Sequence, residues 1–149
     1  MTADTQDADR SFTHTRVIDA PREQVLAAFT DAARLERWWG PAGFRSSTQH
    51  FDARPGGRWQ VTLHGPDGSD YPNEYVFLEL GVERVVIDHP SATHHFVLTV
   101  GLHDDDGRTR VVWHQCFDTA EEKARVAHFV ESANEQNLDR LTDEVIGAR

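Results

Sequence analysis

Cysteine is nearly absent. Cys116 is the only one in 149 residues, which excludes an internal disulfide framework and any zinc site built on thiolates. Long apolar runs are missing too: the longest, such as Val85-Val86-Ile87, have strand length, so no segment approaches a membrane span. Positive charge is scarce, with 15 Lys and Arg against 25 Asp and Glu and a formal net charge of −10. Such a surface repels phosphate backbones and anionic lipid. Arg34/Arg37 and Arg108/Arg110 are isolated pairs and form no basic patch, so neither nucleic acid nor a membrane is an expected partner. Met1 to Arg10 has neither the basic start nor the apolar centre of a secretion signal, and the chain reads as cytoplasmic. Internal repeats, low-complexity tracts and interdomain linkers are also lacking.

What is present describes one globular domain. Hydrophobic residues make up 38% and charged residues 27%, a balance that rules out a disordered or fibrous chain. Residues 1–10, polar and aperiodic, are expected to form a disordered leader to a single domain over 11–149. Phe12, His14, Arg16 and Ile18 alternate with Thr13, Thr15 and Val17 in a first strand. Asp19 or Ala20 then caps a short helix with Pro21 in its first turn, and Asp31 caps a second that Gly40-Pro41 ends. Further strands are predicted near 44–52, 57–64, 73–80, 83–88, 94–103 and 108–117. They are punctuated by the turn sequences Pro55-Gly56-Gly57, Pro66-Asp67-Gly68 and Asp105-Asp106-Gly107.

Alternation assigns an inward face to Trp59, Val61 and Leu63; to Val76, Leu78 and Leu80; to Phe96, Leu98, Val100 and Leu102; and to Val111, Trp113 and Phe117. It turns Phe77 outward. Residues 119–146 predict one helix capped by Thr119, with an apolar stripe of Val126, Phe129, Val130, Ala133 and Leu141 and with Val145 at its margin. At about 40 Å it must lie across the sheet. The expected fold class is α+β: a curved antiparallel sheet of about seven strands around a long C-terminal helix, with two short helices after the first strand.

Several motifs converge in order along the chain. Ala20-Pro21-Arg22-Glu23-Gln24-Val25 precedes Leu35-Glu36-Arg37-Trp38-Trp39-Gly40-Pro41 and Gly43-Phe44. Then follow Phe51-Asp52-Ala53-Arg54-Pro55-Gly56-Gly57-Arg58-Trp59, Gly65-Pro66-Asp67-Gly68 and Glu83-Arg84, and finally Asn134-Glu135-Gln136-Asn137-Leu138-Asp139-Arg140-Leu141. Over residues 12–147 the chain resembles bacterial members of the family of Activator of Hsp90 ATPase homologue 1-like proteins. These are related to the C-terminal domain of the activator and belong to the polyketide-cyclase-like, START/Bet v 1-like (SRPBCC) superfamily. The resemblance implies the helix-grip fold, with an apolar pocket between sheet and helix. The motif residues themselves are turn and packing residues, so they speak for fold before activity.

Catalytic and metal constellations do not emerge. Nine histidines invite a metal reading, but adjacent His94 and His95 face opposite ways, and His114 and His128 lack same-face partners. Cys116 shares a strand face with His114, away from the core, and reads as a plain thiol. Glu74 and Glu79 point to opposite faces, and Asp104-Asp105-Asp106 is a charged hairpin tip. The Gly56-Gly57 turn lacks the strand–glycine–helix context of a phosphate loop. No catalytic residue, metal or cofactor is predicted.

Two amides are conspicuous. Asn137 falls in the middle of the last helix's apolar stripe, and Gln115 lies between Trp113 and Phe117 on the inward face. A buried amide needs a partner: each other, a strand end, or a bound molecule. The predicted cavity residues are Phe44, Trp59, Val61, Leu63, Val76, Leu78, Phe96, Leu98, Trp113, Gln115, Phe129, Ala133 and Asn137. The expected function is binding of one small hydrophobic or aromatic, lipid- or polyketide-like molecule there. Two alternatives use the same fold. One is a cyclase- or hydrolase-type enzyme with Asn137, Gln115 or a pocket histidine handling protons. The other is a protein-interaction module like the chaperone-ATPase activators, although those of eukaryotes carry an additional N-terminal domain that 149 residues leave no room for. A homodimer through the outer sheet face or an edge strand is also expected.

Overall fold

Turn chemistry sets most of the element boundaries. The computed structural model describes residues 8–147; residues 1–7, most of the expected leader, lie outside the described residues. The elements are β1 (Ser11–Ile18), α1 (Arg22–Ala27), α2 (Ala32–Trp38), β2 (Arg45–Phe51), β3 (Arg58–His64), β4 (Asp70–Leu80), β5 (Arg84–His89), β6 (Phe96–Asp105), β7 (Arg108–Phe117) and α3 (Ala120–Gly147). All seven strands pair antiparallel in one sheet of order β1-β7-β6-β5-β4-β3-β2, and α3 packs across its inner face. This is the α+β helix-grip architecture.

At the β6–β7 hairpin, Asp106 and Gly107 take positive φ of 52° and 86°, the pair that a tight twisted hairpin needs. At the β3–β4 turn, Asp67 accepts from the Ser69 amide at 2.9 Å and Gly68 supplies φ 87°. Asp31 caps α2 by accepting from the amides of Ala33 and Arg34. Thr119 caps α3, its hydroxyl accepting from the Glu122 amide at 3.0 Å. The α1 start differs from expectation. Pro21 itself is the N-cap and no side chain bonds there, because extended Pro21 already turns its carbonyl to the amides of Gln24 and Val25. Pairing also begins before β1: the Phe117 amide donates to the Arg10 carbonyl at 2.7 Å, so Arg10 is part of the fold and no loose leader.

One strand reverses its predicted faces. On β4, Tyr75 and Phe77 are buried (5% and 0% exposed), Val76 is half-buried on the other side, and Leu78 is 47% exposed. Leu80 nevertheless packs on the core as expected. The cause is a β-bulge between Phe77 and Glu79: Phe77 pairs with Ile87 but Glu79 pairs with Val86, so the strand spends one extra residue, Leu78, on its outer side. A bulge shifts the side-chain period by one and defeats simple alternation on either side of it.

The long helix is used unequally. Its buried residues are Asn134, Asn137, Leu138, Leu141 and Val145, all in the second half. Val145, expected at the margin, is a core residue at 1% exposure. The expected stripe residues Val126, Phe129, Val130 and Ala133 in the first half are not buried. Among the described residues no helix is long and apolar enough to cross a membrane.

Candidate functional site: a hollow between helix and sheet

At its start α3 meets β1, where Lys123 lies 5.0 Å over the Phe12 ring, but between Val126 and Ala133 it stands off the sheet and leaves a half-open hollow of about 300 Å³. The helix contributes Val126, Phe129, Val130 and Ala133, with Asn134 and Asn137 at the inner end. The sheet contributes Leu63 from β3, Tyr75 from β4, Phe96 and Leu98 from β6, and Trp113, Gln115 and Phe117 from β7. Trp39-Gly40-Pro41 closes one side. Exposed His94, Phe129 (53% exposed) and half-buried Glu122 mark the opening.

The turn after α2 governs how close the helix comes. Gly40 adopts φ 100°, and a Cβ there would press within 3.3 Å of both Leu63 and Phe44. The carbonyls that α2 leaves unpaired at its end are taken by Arg140 of α3. Its Nη1 donates to the carbonyls of Gly40 (2.7 Å), Pro41 (3.0 Å) and Trp39 (3.3 Å), and its Nη2 to that of Arg37 (2.9 Å). Burial holds the Arg140 pKa below its ordinary value, and the helix-end carbonyls act as its counter-charge. Asn137 completes the clamp, donating through Nδ2 to the Trp38 carbonyl (2.8 Å) and accepting through Oδ1 from the Gly40 amide (3.3 Å). Glu144 accepts from Arg34 and from Arg37 in two-pronged fashion, and Arg37 holds its carboxyl below the usual range. At the far edge, Glu135 and Asp139 take Arg16 of β1, and Glu135 also meets His14 at 2.6 Å. The second half of α3 is thus tied to both sides of the fold, and the hollow begins where those ties stop.

Residues 19–145 match the family model described as Activator of Hsp90 ATPase homolog 1-like protein. The chain belongs to this family. Solved structures from the same fold are close in shape and distant in sequence. A crystal structure of a Nitrosomonas europaea protein has a TM-score of 0.86 at 18% identity, covering 96% of this chain and 98% of that one. A solution structure of an Arthrobacter aurescens protein has a TM-score of 0.86 at 21% identity, covering 94% and 88%. An Activator of Hsp90 ATPase homologue 1-like protein from Aeromonas hydrophila has a TM-score of 0.72 at 18% identity, covering 93% of each. No curated protein sequence matches the chain. At these identities the likeness is one of fold.

For this member of the family, the structure brings eight of the thirteen predicted cavity residues to one place: Leu63, Phe96, Leu98, Trp113, Gln115, Phe129, Ala133 and Asn137. The other five sit elsewhere. Trp59 and Val61 are core residues behind the wall, Trp59 lying 5.2 Å from both Trp39 and Tyr75. Phe44 packs with Tyr71 at 6.1 Å, outside the hollow. Val76 and Leu78 are displaced by the face reversal on β4. Three wall aromatics lie outside the predicted cavity set: Phe117, which was expected to face inward but not to line the cavity, Tyr75 and Trp39. Tyr75 was hidden by that reversal, although its i, i+2 relation to Phe77 marks an apolar face. Trp39 shares its motif with Trp38, and one indole had to line something: Trp38 packs on Phe29 at 4.9 Å while Trp39 faces the sheet.

The amides resolve differently from each other. Asn137 lines the inner end of the hollow, and its Nδ2 and Oδ1 each bond the backbone of the α2 turn. Gln115 accepts from Asn134 Nδ2 at 3.0 Å, helix to sheet across the hollow's inner end. Tyr75 accepts from Trp39 Nε1 at 3.4 Å, and burial pushes its phenol up to about 12, so it stays protonated at neutral pH. Among the described residues no His, Cys, Asp or Glu cluster could hold a metal ion.

Beside the opening, His95 bridges two carboxylates. Its Nδ1 donates to Asp118 and its Nε2 to Asp88, each at 2.7 Å. Both ring nitrogens must carry protons to serve two acceptors, and the bond to Asp118 first, then that to Asp88, raises the His95 pKa above 6.5. A raised folded pKa stabilises the protein fully below the unfolded value, and that stabilisation is lost as pH rises through the folded one. The urea midpoint of the wild type is therefore expected to fall relative to that of His95→Gln as the pH rises above the ordinary histidine value. Parallel pH profiles for the two proteins would contradict this linkage.

Proposed function

We propose that this protein binds one small, predominantly apolar molecule in the hollow between α3 and the sheet. One observation carries the reading. An amphipathic helix normally buries its stripe against its own fold, yet Val126, Phe129, Val130 and Ala133 face Phe96, Leu98 and Phe117 across empty space. Packed protein interiors leave few voids larger than a water molecule, so a half-open apolar space of about 300 Å³ is at the size of the smaller ligand sites. The supporting framework is rigid where it needs to be, because Arg140, Asn137 and Glu144 hold the helix independently of whatever fills the hollow.

The test fills the space from within. Ala133→Trp is expected to weaken binding of a neutral fluorescent probe such as phenyl-naphthylamine by about tenfold or more, with an unchanged or higher thermal midpoint. Ser132→Trp, on the exposed side of the same helix, should leave binding intact. Undiminished probe binding by Ala133→Trp, or none by the wild type, counts against a ligand in this hollow.

A further inference from the structure

Three amide side chains line the hollow: Gln115 on β7, and Asn134 and Asn137 on α3. Asn137 spends its Nδ2 on the Trp38 carbonyl and its Oδ1 on the Gly40 amide. The other two are joined by one hydrogen bond, from Asn134 Nδ2 to Gln115 Oε1 at 3.0 Å. That bond is not reciprocated. Gln115 Nε2 and Asn134 Oδ1 have no partner among the described residues, although Gln115 is only 8% and Asn134 only 7% exposed. Both atoms are nevertheless open. Among the described residues, the unpaired side-chain nitrogens and oxygens shut away from solvent are His14 Nε2 and Trp113 Nε1, and neither amide arm belongs with them. The space that Gln115 and Asn134 both border is the hollow, where their bond runs from helix to sheet at its inner end.

Turning both amides over would reverse the bond without changing what is left. Gln115 Nε2 would then give to Asn134 Oδ1, leaving Gln115 Oε1 to accept and Asn134 Nδ2 to give. In either arrangement the pair presents one donor and one acceptor within an otherwise apolar wall. A hydrocarbon end pressed against the pair would leave both arms unserved, at the cost of two unpaired buried groups. A lone carbonyl or a lone N–H serves one arm. A neutral amide edge, with its N–H beside its C=O, serves both at once. Charge is disfavoured. No Lys or Arg lines the hollow, and its one carboxylate, Glu122, stands at the opening paired with Arg125, which also donates to His94 at 3.2 Å. An anion at the inner end would therefore find no counter-charge and would face the free amide oxygen.

Resting on the reading of the hollow as a ligand site, we infer that its ligand carries a neutral amide edge, as in a lactam or a primary carboxamide. Gln115 and Asn134 hold that edge at the inner end, and the apolar body lies toward the opening against Phe96, Val126 and Phe129.

Four probes on one bicyclic skeleton separate the possibilities, each read by displacement of phenyl-naphthylamine. Oxindole carries the N–H beside the carbonyl, indanone the carbonyl without the N–H, indane neither, and indanecarboxylate an anion. Oxindole is expected to bind about fivefold or more tighter than indanone, which is the worth of one net hydrogen bond, and indanecarboxylate more weakly than oxindole. In the wild type, a Gln115 Nε2 proton resonance should move downfield with oxindole and not with indane. In Gln115→Met, oxindole and indanone should bind alike; if that variant does not fold, the affinity ratio and the amide resonance of the wild type decide. Equal affinities of the wild type for oxindole and indanone overturn the amide-edge assignment while leaving the hollow a binding site. An undiminished preference for oxindole in Gln115→Met, or an unmoved Gln115 resonance, overturns the role of the pair. Tighter binding of indanecarboxylate than of oxindole overturns the preference for a neutral ligand. Binding of phenyl-naphthylamine that none of the four displaces overturns the inference, and failure of phenyl-naphthylamine and all four to bind overturns the ligand site itself.

Discussion

Trp38→Ala should cost about 3–5 kcal/mol of unfolding free energy, among the largest losses available from one substitution in this fold. Trp38 is fully buried, edge-on to Phe29 at 4.9 Å, to Trp39 at 5.5 Å and to Trp113 at 6.2 Å. Its removal therefore opens a cavity where α1, α2 and the sheet meet, and it strips the Ala28 carbonyl of its donor. Trp38→Phe keeps most of the volume and loses the hydrogen bond. It should cost only about 1–3 kcal/mol, the penalty of an unsatisfied buried acceptor plus a small void. Urea unfolding followed by far-ultraviolet circular dichroism measures both. Because the turn after Trp38 positions the wall residue Trp39, Trp38→Ala should also weaken probe binding. A loss below about 1 kcal/mol for Trp38→Ala would mean that the site collapses around the missing ring and that Trp38 does not hold the helices in place.

Gly57→Ala is the second. A Cβ at Gly57 would lie 2.0 Å from the Asp52 carbonyl oxygen and 2.9 Å from that of Arg54, both backbone atoms with nowhere to go. Those carbonyls are pinned in the same turn, where the Gly57 amide donates to Arg54 at 2.8 Å and the Gly57 carbonyl accepts from Phe77 at 2.9 Å. Relief requires moving the β2–β3 turn off the bulged β4, so the cost is expected at or above the upper end of the about 1–3 kcal/mol typical of overpacking. Gly56→Ala supplies the contrast. Its φ of 84° is strained for alanine, but nothing lies within 4 Å of the added Cβ, so about 1–2 kcal/mol is expected. If thermal denaturation ranks Gly56→Ala as the more damaging, the close approach at Gly57 is not what the motif protects.

These two substitutions explain why the motifs announced the fold so clearly. Asp31, Thr119, Asp106-Gly107 and Asp67-Gly68 act through atoms within a few residues of themselves, and their roles follow from local chemistry. The site was legible only where strands keep their period. On β6 and β7, alternation carried Phe96, Leu98, Trp113 and Gln115 to the wall. On β4 the bulge at Leu78 broke that period and hid Tyr75. Asn137 illustrates a different limit. Its burial was readable from the helical stripe, but its partners, the Trp38 carbonyl and the Gly40 amide, lie about a hundred residues away. The role of Arg140 depends on the carbonyls of the α2 end and the turn after it, about a hundred residues away in the chain.

By itself, then, the amino-acid order determined the α+β succession of strands and helices, the element boundaries to within a few residues, and the membership of an apolar stripe on the last helix. Those follow from side-chain periodicity, capping and turn preferences, which act over short stretches of chain. Only the tertiary structure decided that the stripe divides, its second half packed and its first half left facing space. That division arises because Arg140, Asn137 and Glu144 anchor one end of α3 to the α2 turn, and such long-range ties leave no periodic signature.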